Sequence, residues 1–96
     1  MRITLVSSIL IASLSSAHAI SFSLCNKHGV GPVAIAAWDR KAGNAQIFNG
    51  TVGKDQCAPA NASGGTGGDY ADILLKVGGG NPYGVPWVRP GDQVNF

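Results

Sequence analysis

The amino-acid sequence predicts an all-β domain, a small disulfide-stapled sandwich or barrel of five to seven short strands. Three observations carry that expectation. All 14 glycines lie beyond residue 28, and they interrupt every window long enough to hold a helix. Apolar residues in the same region come in short runs bounded by turn formers. Only two cysteines occur, Cys25 and Cys57, and they bracket the most apolar of those runs.

The first residues read as a targeting segment. Met1-Arg2 gives a positive start, residues 5–14 are mostly apolar, and Ala17-His18-Ala19 is the small-x-small pattern that signal peptidase cuts. The apolar stretch is shorter than the roughly 20 residues that hydrocarbon requires. Residues 1–19 are therefore expected to be a cleaved signal peptide, and residues 20–96 a single secreted, extracellular β-domain. A domain of 77 residues stands near the lower limit for a self-sufficient core. In an oxidising compartment Cys25 and Cys57 are expected to pair rather than act as reactive thiols or metal ligands. Their bridge closes a loop of 33 residues, an upper contribution of about 3.7 kcal/mol in the chain-entropy description.

Residues 20–25 alternate, with Ile20, Phe22 and Leu24 on one face and Ser21, Ser23 and Cys25 on the other, the pattern of a half-buried strand. Residues 26–32 form a loop. Val33 to Trp38 is expected to be a fully buried central strand, and Gly43-Asn44 a turn with positive φ. Residues 45–48 are its expected hairpin partner, with Asn49-Gly50 as a second turn. Cys57 would tie this hairpin back to the first strand. Residues 58–69 read as a long loop, because Ala, Pro, Asn, Ser and Gly offer little to bury. Residues 70–77 are expected to be a third strong strand rather than a turn or two of helix, since Gly78-Gly79-Gly80 stops them abruptly. Residues 81–84 read as a turn, residues 85–88 as a strand that Pro86 confines to an edge, Pro90-Gly91-Asp92 as a turn, and residues 93–96 as a terminal strand.

Residues 20–96 carry six basic and five acidic residues, a formal balance of +1. Such scattered charge argues against a nucleic-acid footprint, and the adjacent pair Arg40-Lys41 is expected to solvate a turn. Chemistry is poorly supplied. The sequence has no glutamate, and beyond the signal His28 is the one histidine. A Ser-His-Asp set would have to draw on Ser21, Ser23 or Ser63 with His28, and no motif places them together. Gly64 to Gly68 lacks the Lys-Ser/Thr pair of a phosphate cradle. Asp69 and Asp72 have the residue type for a cation or a glycoside, but at this spacing they fit the start of a strand. No catalytic residue, metal site or cofactor is expected. Asn49-Gly50-Thr51 and Asn61-Ala62-Ser63 match the N-glycosylation pattern, and both are expected in turns or loops.

Arg89 to Phe96 resembles the Pro-Gly-Asp turn and strand of cupredoxins, which implies a sandwich edge. The two-histidine, cysteine copper set is missing, so it implies no copper. The whole layout, a signal, a short cysteine-stapled β-domain and no catalytic motif, resembles the small secreted effector-type proteins of plant-associated fungi. That resemblance implies a virulence effector acting on a host or competitor component. The expected function is non-enzymatic binding of a protein or a polysaccharide, by a monomer without stable membrane insertion. The alternatives are an antimicrobial or killer-type toxin at cell surfaces, against which the weak charge counts, and a small secreted hydrolase or hydrolase inhibitor.

The binding residues expected from sequence are Tyr83, Trp87 and Arg89, the residue types that dominate hot spots, held among Gly80, Pro82, Pro86 and Pro90. Two readings of Trp87 compete. In one it packs beneath the sandwich as core, which a domain this small favours. In the other it stands exposed as the anchor of a partner.

Overall fold

A computed structural model of the chain describes residues 19–64 and 70–96. The expected signal segment and Asp69 lie outside the described residues, apart from Ala19. Seven strands form two sheets: β1 (Ala19–Cys25), β2 (Val33–Asp39), β3 (Ala45–Val52), β4 (Cys57–Ser63), β5 (Ala71–Val77), β6 (Tyr83–Val88) and β7 (Gln93–Asn95). One sheet has the order β4-β1-β7, the other β3-β2-β5-β6. The strands of both sheets feed one core, which includes Ile20, Phe22 and Leu24 from β1, Ile35 and Ala37 from β2, Ala60 and Ala62 from β4, Ile73 and Leu75 from β5, and Val94 and Phe96 at the C-terminal end. The fold is a small all-β sandwich.

The alternation read in residues 20–25 sets the face of β1, whose apolar triad is buried. β1 is the middle strand of its sheet, antiparallel to β4 and parallel to β7. Cys25 lies directly opposite Cys57 in the β1–β4 register and the two are disulfide-bonded. The parallel partner arrives by a chain reversal at Arg89-Pro90-Gly91-Asp92. Asp92 N–H donates to Arg89 carbonyl at 3.0 Å, and Gly91 has φ of +85°. Proline followed by a positive-φ glycine is the composition of a type II turn. The last residue is fixed as well, since Phe96 carbonyl accepts from the backbone N–H of both Lys27 and His28.

β2 is central to the four-stranded sheet, between β3 and β5, but it is not buried on both faces. Ile35, Ala37 and Asp39 are buried, Ala36 and Trp38 are half-buried, and Ala34 is exposed. No layer of the described chain covers the outer face, so the period-2 rule operates there as in any one-sided antiparallel sheet. The expected positive φ at Gly43 and Asn44 is present, +66° and +62°.

Two expected loops are strands. Asn49-Gly50 runs straight through β3, paired with Ala36 and Ile35. Here the length of β2 overrides the local turn signal: seven residues of β2 find partners only if β3 continues past Asn49. The Phe48 ring lies 3.5 Å from where a Cβ of Gly50 would stand, and so fills the space that the glycine leaves. Residues 58–63, expected in a long loop, belong to β4. Its inward positions are alanines, Ala60 and Ala62, which offer so little side chain that the alternation escapes notice, and Pro59 is tolerated because β4 is an edge.

Two buried polar side chains hold the irregular segments. Asn26, fully buried, donates through Nδ2 to the carbonyls of Gly31 and Val52, both at 3.0 Å, and accepts from Gly29 N–H at 3.0 Å. Asp39 accepts from Lys41 N–H at 3.0 Å and from Ser63 N–H at 2.6 Å, so it caps the Arg40–Ala42 turn and joins the end of β2 to the end of β4.

Candidate functional site

β6 is an edge strand, and its register with β5 slips. Ala71 pairs with Val88 and Ile73 with Val85, so two residues of β6, Pro86 and Trp87, oppose the single Asp72. This is a β-bulge, in which one surplus residue bends the strand and re-aims a side chain. Pro86 has no N–H to give to a ladder, which makes the bulge easy to form at this point.

The re-aimed side chain is Trp87. Its φ is +63°, a left-handed conformation that costs a bulky residue roughly 1–2 kcal/mol. Its relative exposure is 61%. The core reading of Trp87 is therefore overturned, because the bulge turns the indole out of the sandwich and leaves Val88 to fill the inner face. One face of the indole rests on Tyr70, with ring centroids 4.3 Å apart and planes inclined by 35°. A ring covered on both faces would not keep that exposure, so the other face meets solvent.

Tyr70 is braced in turn. Lys41 Nζ stands 3.5 Å from the centroid of its ring and donates to Tyr70 carbonyl at 3.1 Å and Gly64 carbonyl at 3.2 Å. Lys41 thus joins the two chain ends on either side of residues 65–69. The expectation that Arg40-Lys41 merely solvates a turn fails for Lys41, because the Arg40–Ala42 turn lifts its stem towards Tyr70. Cation–π attraction of this kind contributes about 0.5–2 kcal/mol, more as the ammonium is desolvated. The indole is consequently a ring on a three-part support: bulge, tyrosine and ammonium.

Polar groups flank it. Asp72, opposite the bulge, is half-buried, and its Oδ1 is shielded from solvent with no hydrogen-bond partner among the described residues. Arg40, exposed, lays Nη1 over Gly84, 3.0 Å from where a Cβ would stand there. Gly84 pairs with Leu74, two residues from Asp72 on the same strand, about 7 Å along β5.

Of the trio expected from sequence, Tyr83 stands apart from Trp87 along β6. Tyr83 pairs with Leu75 at the opposite end of β6, where it is 45% exposed. Arg89 is exposed in the turn to β7, its N–H bonded to Asp92 Oδ2 at 2.9 Å. Trp87 instead meets Tyr70, which Lys41 braces, and its bulge lies opposite Asp72; sequence reasoning passed over these residues. The surplus residue between two inward-facing β6 positions, signalled by Pro86, was the available clue.

Of the serines considered with His28, Ser63 is held far from it. His28 follows β1 at its Cys25 end, whereas Ser63 pairs with Ala19 at the other, roughly 20 Å away along the strand. Ser21 Oγ donates to Asn61 Oδ1 at 2.7 Å. Both sequons lie within strands, Asn49 in β3 and Asn61 in β4, rather than in the expected turns or loops, though both asparagines are exposed. Among the described residues no group of three or more His, Cys, Asp or Glu side chains could hold a metal ion, and no helix is long and apolar enough to cross a membrane. Comparison with protein-family models, curated proteins and solved structures finds no match to this chain.

Proposed function

We propose that this chain is a secreted, non-enzymatic binding protein that engages a component outside the exporting cell, and that the outer surface around Trp87 is its contact site. The observation that carries the reading is the indole itself: 61% exposed, held in a left-handed backbone conformation, and braced from behind by Tyr70. Bulky residues kept in sparsely populated backbone regions cluster where function requires a particular side-chain aim. A ring already fixed before binding loses little freedom on contact, so more of its buried area appears as affinity. The separation of Ser63 and His28 at opposite ends of β1 removes one of the nucleophilic pairings considered.

The test is to immobilise the mature protein and its Trp87→Ala variant and expose each to extracellular material from a prospective host or competitor. The wild type is expected to retain a component that the variant loses, while the melting temperature changes by only a few degrees. A variant that binds as well as the wild type would remove Trp87 from the contact site.

A further inference from the structure

The geometry points to a neutral polysaccharide as the partner at this site, with a pyranose ring stacked on the free face of Trp87; this rests on the binding surface proposed above. Three features select that chemistry. The first is isolation. The exposed large apolar side chains among the described residues are Val30, Tyr83 and Trp87. Tyr83 is at the far end of β6, and Val30 lies in the loop before β2, on that same far side. A stable protein interface buries about 800 Å² on each partner, with several aromatic and apolar side chains gathered at its core. One ring standing alone suits a narrow ligand that presents a row of polarised C–H groups to the negative face of an indole.

The second feature is the kind of polar group beside the ring. A sugar ring offers hydroxyls that both donate and accept. Asp72, half-buried on the strand opposite the bulge, supplies a carboxylate whose Oδ1 is shielded from solvent. Arg40 supplies exposed guanidinium donors over Gly84.

The third is charge. Lys41 is committed to Tyr70 and to two backbone carbonyls, and the Asp72 carboxylate repels an anionic chain at the ring. Stacked nucleic-acid bases would require a basic groove along the backbone, which a formal balance of +1 does not supply. A neutral glycan is the ligand that this surface does not oppose.

The mature protein should be mixed with insoluble neutral polysaccharides (chitin, cellulose and a β-glucan) and the bound fraction measured in low salt and in 1 M NaCl. Retention on at least one of them is expected, unchanged by salt, reduced at least tenfold by Trp87→Ala and largely kept by Trp87→Phe. Binding to a neutral polysaccharide that Trp87→Ala leaves intact would overturn the assigned site. Retention by none, together with Trp87-dependent capture of a protein, would overturn the glycan assignment and leave the binding surface standing. Retention by none and no Trp87-dependent partner of any kind would remove both.

Discussion

The Asp39 carboxylate accepts the backbone N–H of Ser63 at 2.6 Å, across the gap between the two sheets. Asp39 is 2% exposed. It terminates β2, and Ser63 terminates β4, an edge strand whose N–H there needs an acceptor beyond its own ladder. The other carboxylate oxygen takes Lys41 N–H, so one side chain fixes the turn that carries Lys41 and the end of the strand that leads to Gly64.

Replacing Asp39 therefore tests whether the sandwich depends on this joint. Asp39→Asn keeps one acceptor but turns an amide NH₂ towards one of the two N–H donors, and a loss of about 1–3 kcal/mol is expected. Asp39→Ala removes both acceptors, and about 2–5 kcal/mol is expected from paired donors losing their partners at once. Urea unfolding of the two variants beside the wild type measures this. Losses below about 0.5 kcal/mol for both would mean that Asp39 does not join the sheets.

Gly29 offers a second test of the buried polar joints. A Cβ there would stand 2.6 Å from Asn26 Oδ1 and 2.8 Å from Val33 Cγ2. Gly29→Ala must therefore displace the side chain that holds the carbonyls of Gly31 and Val52. A destabilisation of about 2–4 kcal/mol is expected, similar to Asn26→Ala, and the double variant should cost less than the sum because both changes break one network. Full additivity in denaturant unfolding would show that the two residues act apart.

Cys25 and Cys57 predict a protein without free thiol, since they are opposed in register and bonded. Alkylation of the unfolded, unreduced protein should add no mass. The bridge lies across a ladder that also runs from Leu24–Ala58 to Ala19–Ser63, so the double alanine variant should still fold, at a loss of about 2–4 kcal/mol. Two alkyl adducts per chain on the secreted protein would refute the pairing.

Much of this fold was legible because a period of two is easily read where the inward residues are large. Ile20, Phe22 and Leu24 announced β1, whereas β5 was read from the apolar run Ile73-Leu74-Leu75 and the Gly78-Gly79-Gly80 stop that follows it. β4 was not legible because its inward residues are Ala60 and Ala62, scarcely larger than the glycines that follow. β3 misled through Asn49-Gly50, a local turn preference that the seven pairs with β2 outweigh. At the candidate site the composition of β6 drew attention to Trp87, yet composition cannot count residues in register. The bulge opposite Asp72 decides that Trp87 points outward, and the Tyr70 contact follows from tertiary placement alone.

The Ala17-His18-Ala19 pattern predicts an N-terminus. Cutting after Ala19 should give a secreted chain beginning Ile20-Ser21-Phe22-Ser23, and N-terminal sequencing of protein from the medium checks it. Ala19 is exposed and pairs only with Ser63 at the end of the ladder, whereas Ile20 is buried. Cutting one residue earlier or later would therefore differ in effect: an extra Ala19 is tolerated, but loss of Ile20 removes a core side chain. A secreted chain still beginning at Met1 would end the signal-peptide reading.

The backbone at Trp87 makes a prediction whose sign is unusual. In a strand, glycine is ordinarily worse than alanine by about 0.5–1 kcal/mol, because it loses more freedom on folding. At φ of +63° the order should invert, since alanine keeps the left-handed penalty of roughly 1–2 kcal/mol and glycine does not. Both variants lose the stacking on Tyr70, about 0.5–1.5 kcal/mol, so that contribution cancels between them. Trp87→Gly is therefore expected to be as stable as Trp87→Ala or more stable, by up to about 1.5 kcal/mol, with both within about 2 kcal/mol of the wild type because the ring is not core. Urea midpoints at equal m-values give the comparison. If alanine proves the more stable by its usual margin, the left-handed bulge is not the conformation of the folded protein in solution. If either variant loses 3–5 kcal/mol, the indole is core after all. The inverted order would show that the fold bears a backbone cost at residue 87 in order to hold the indole outward.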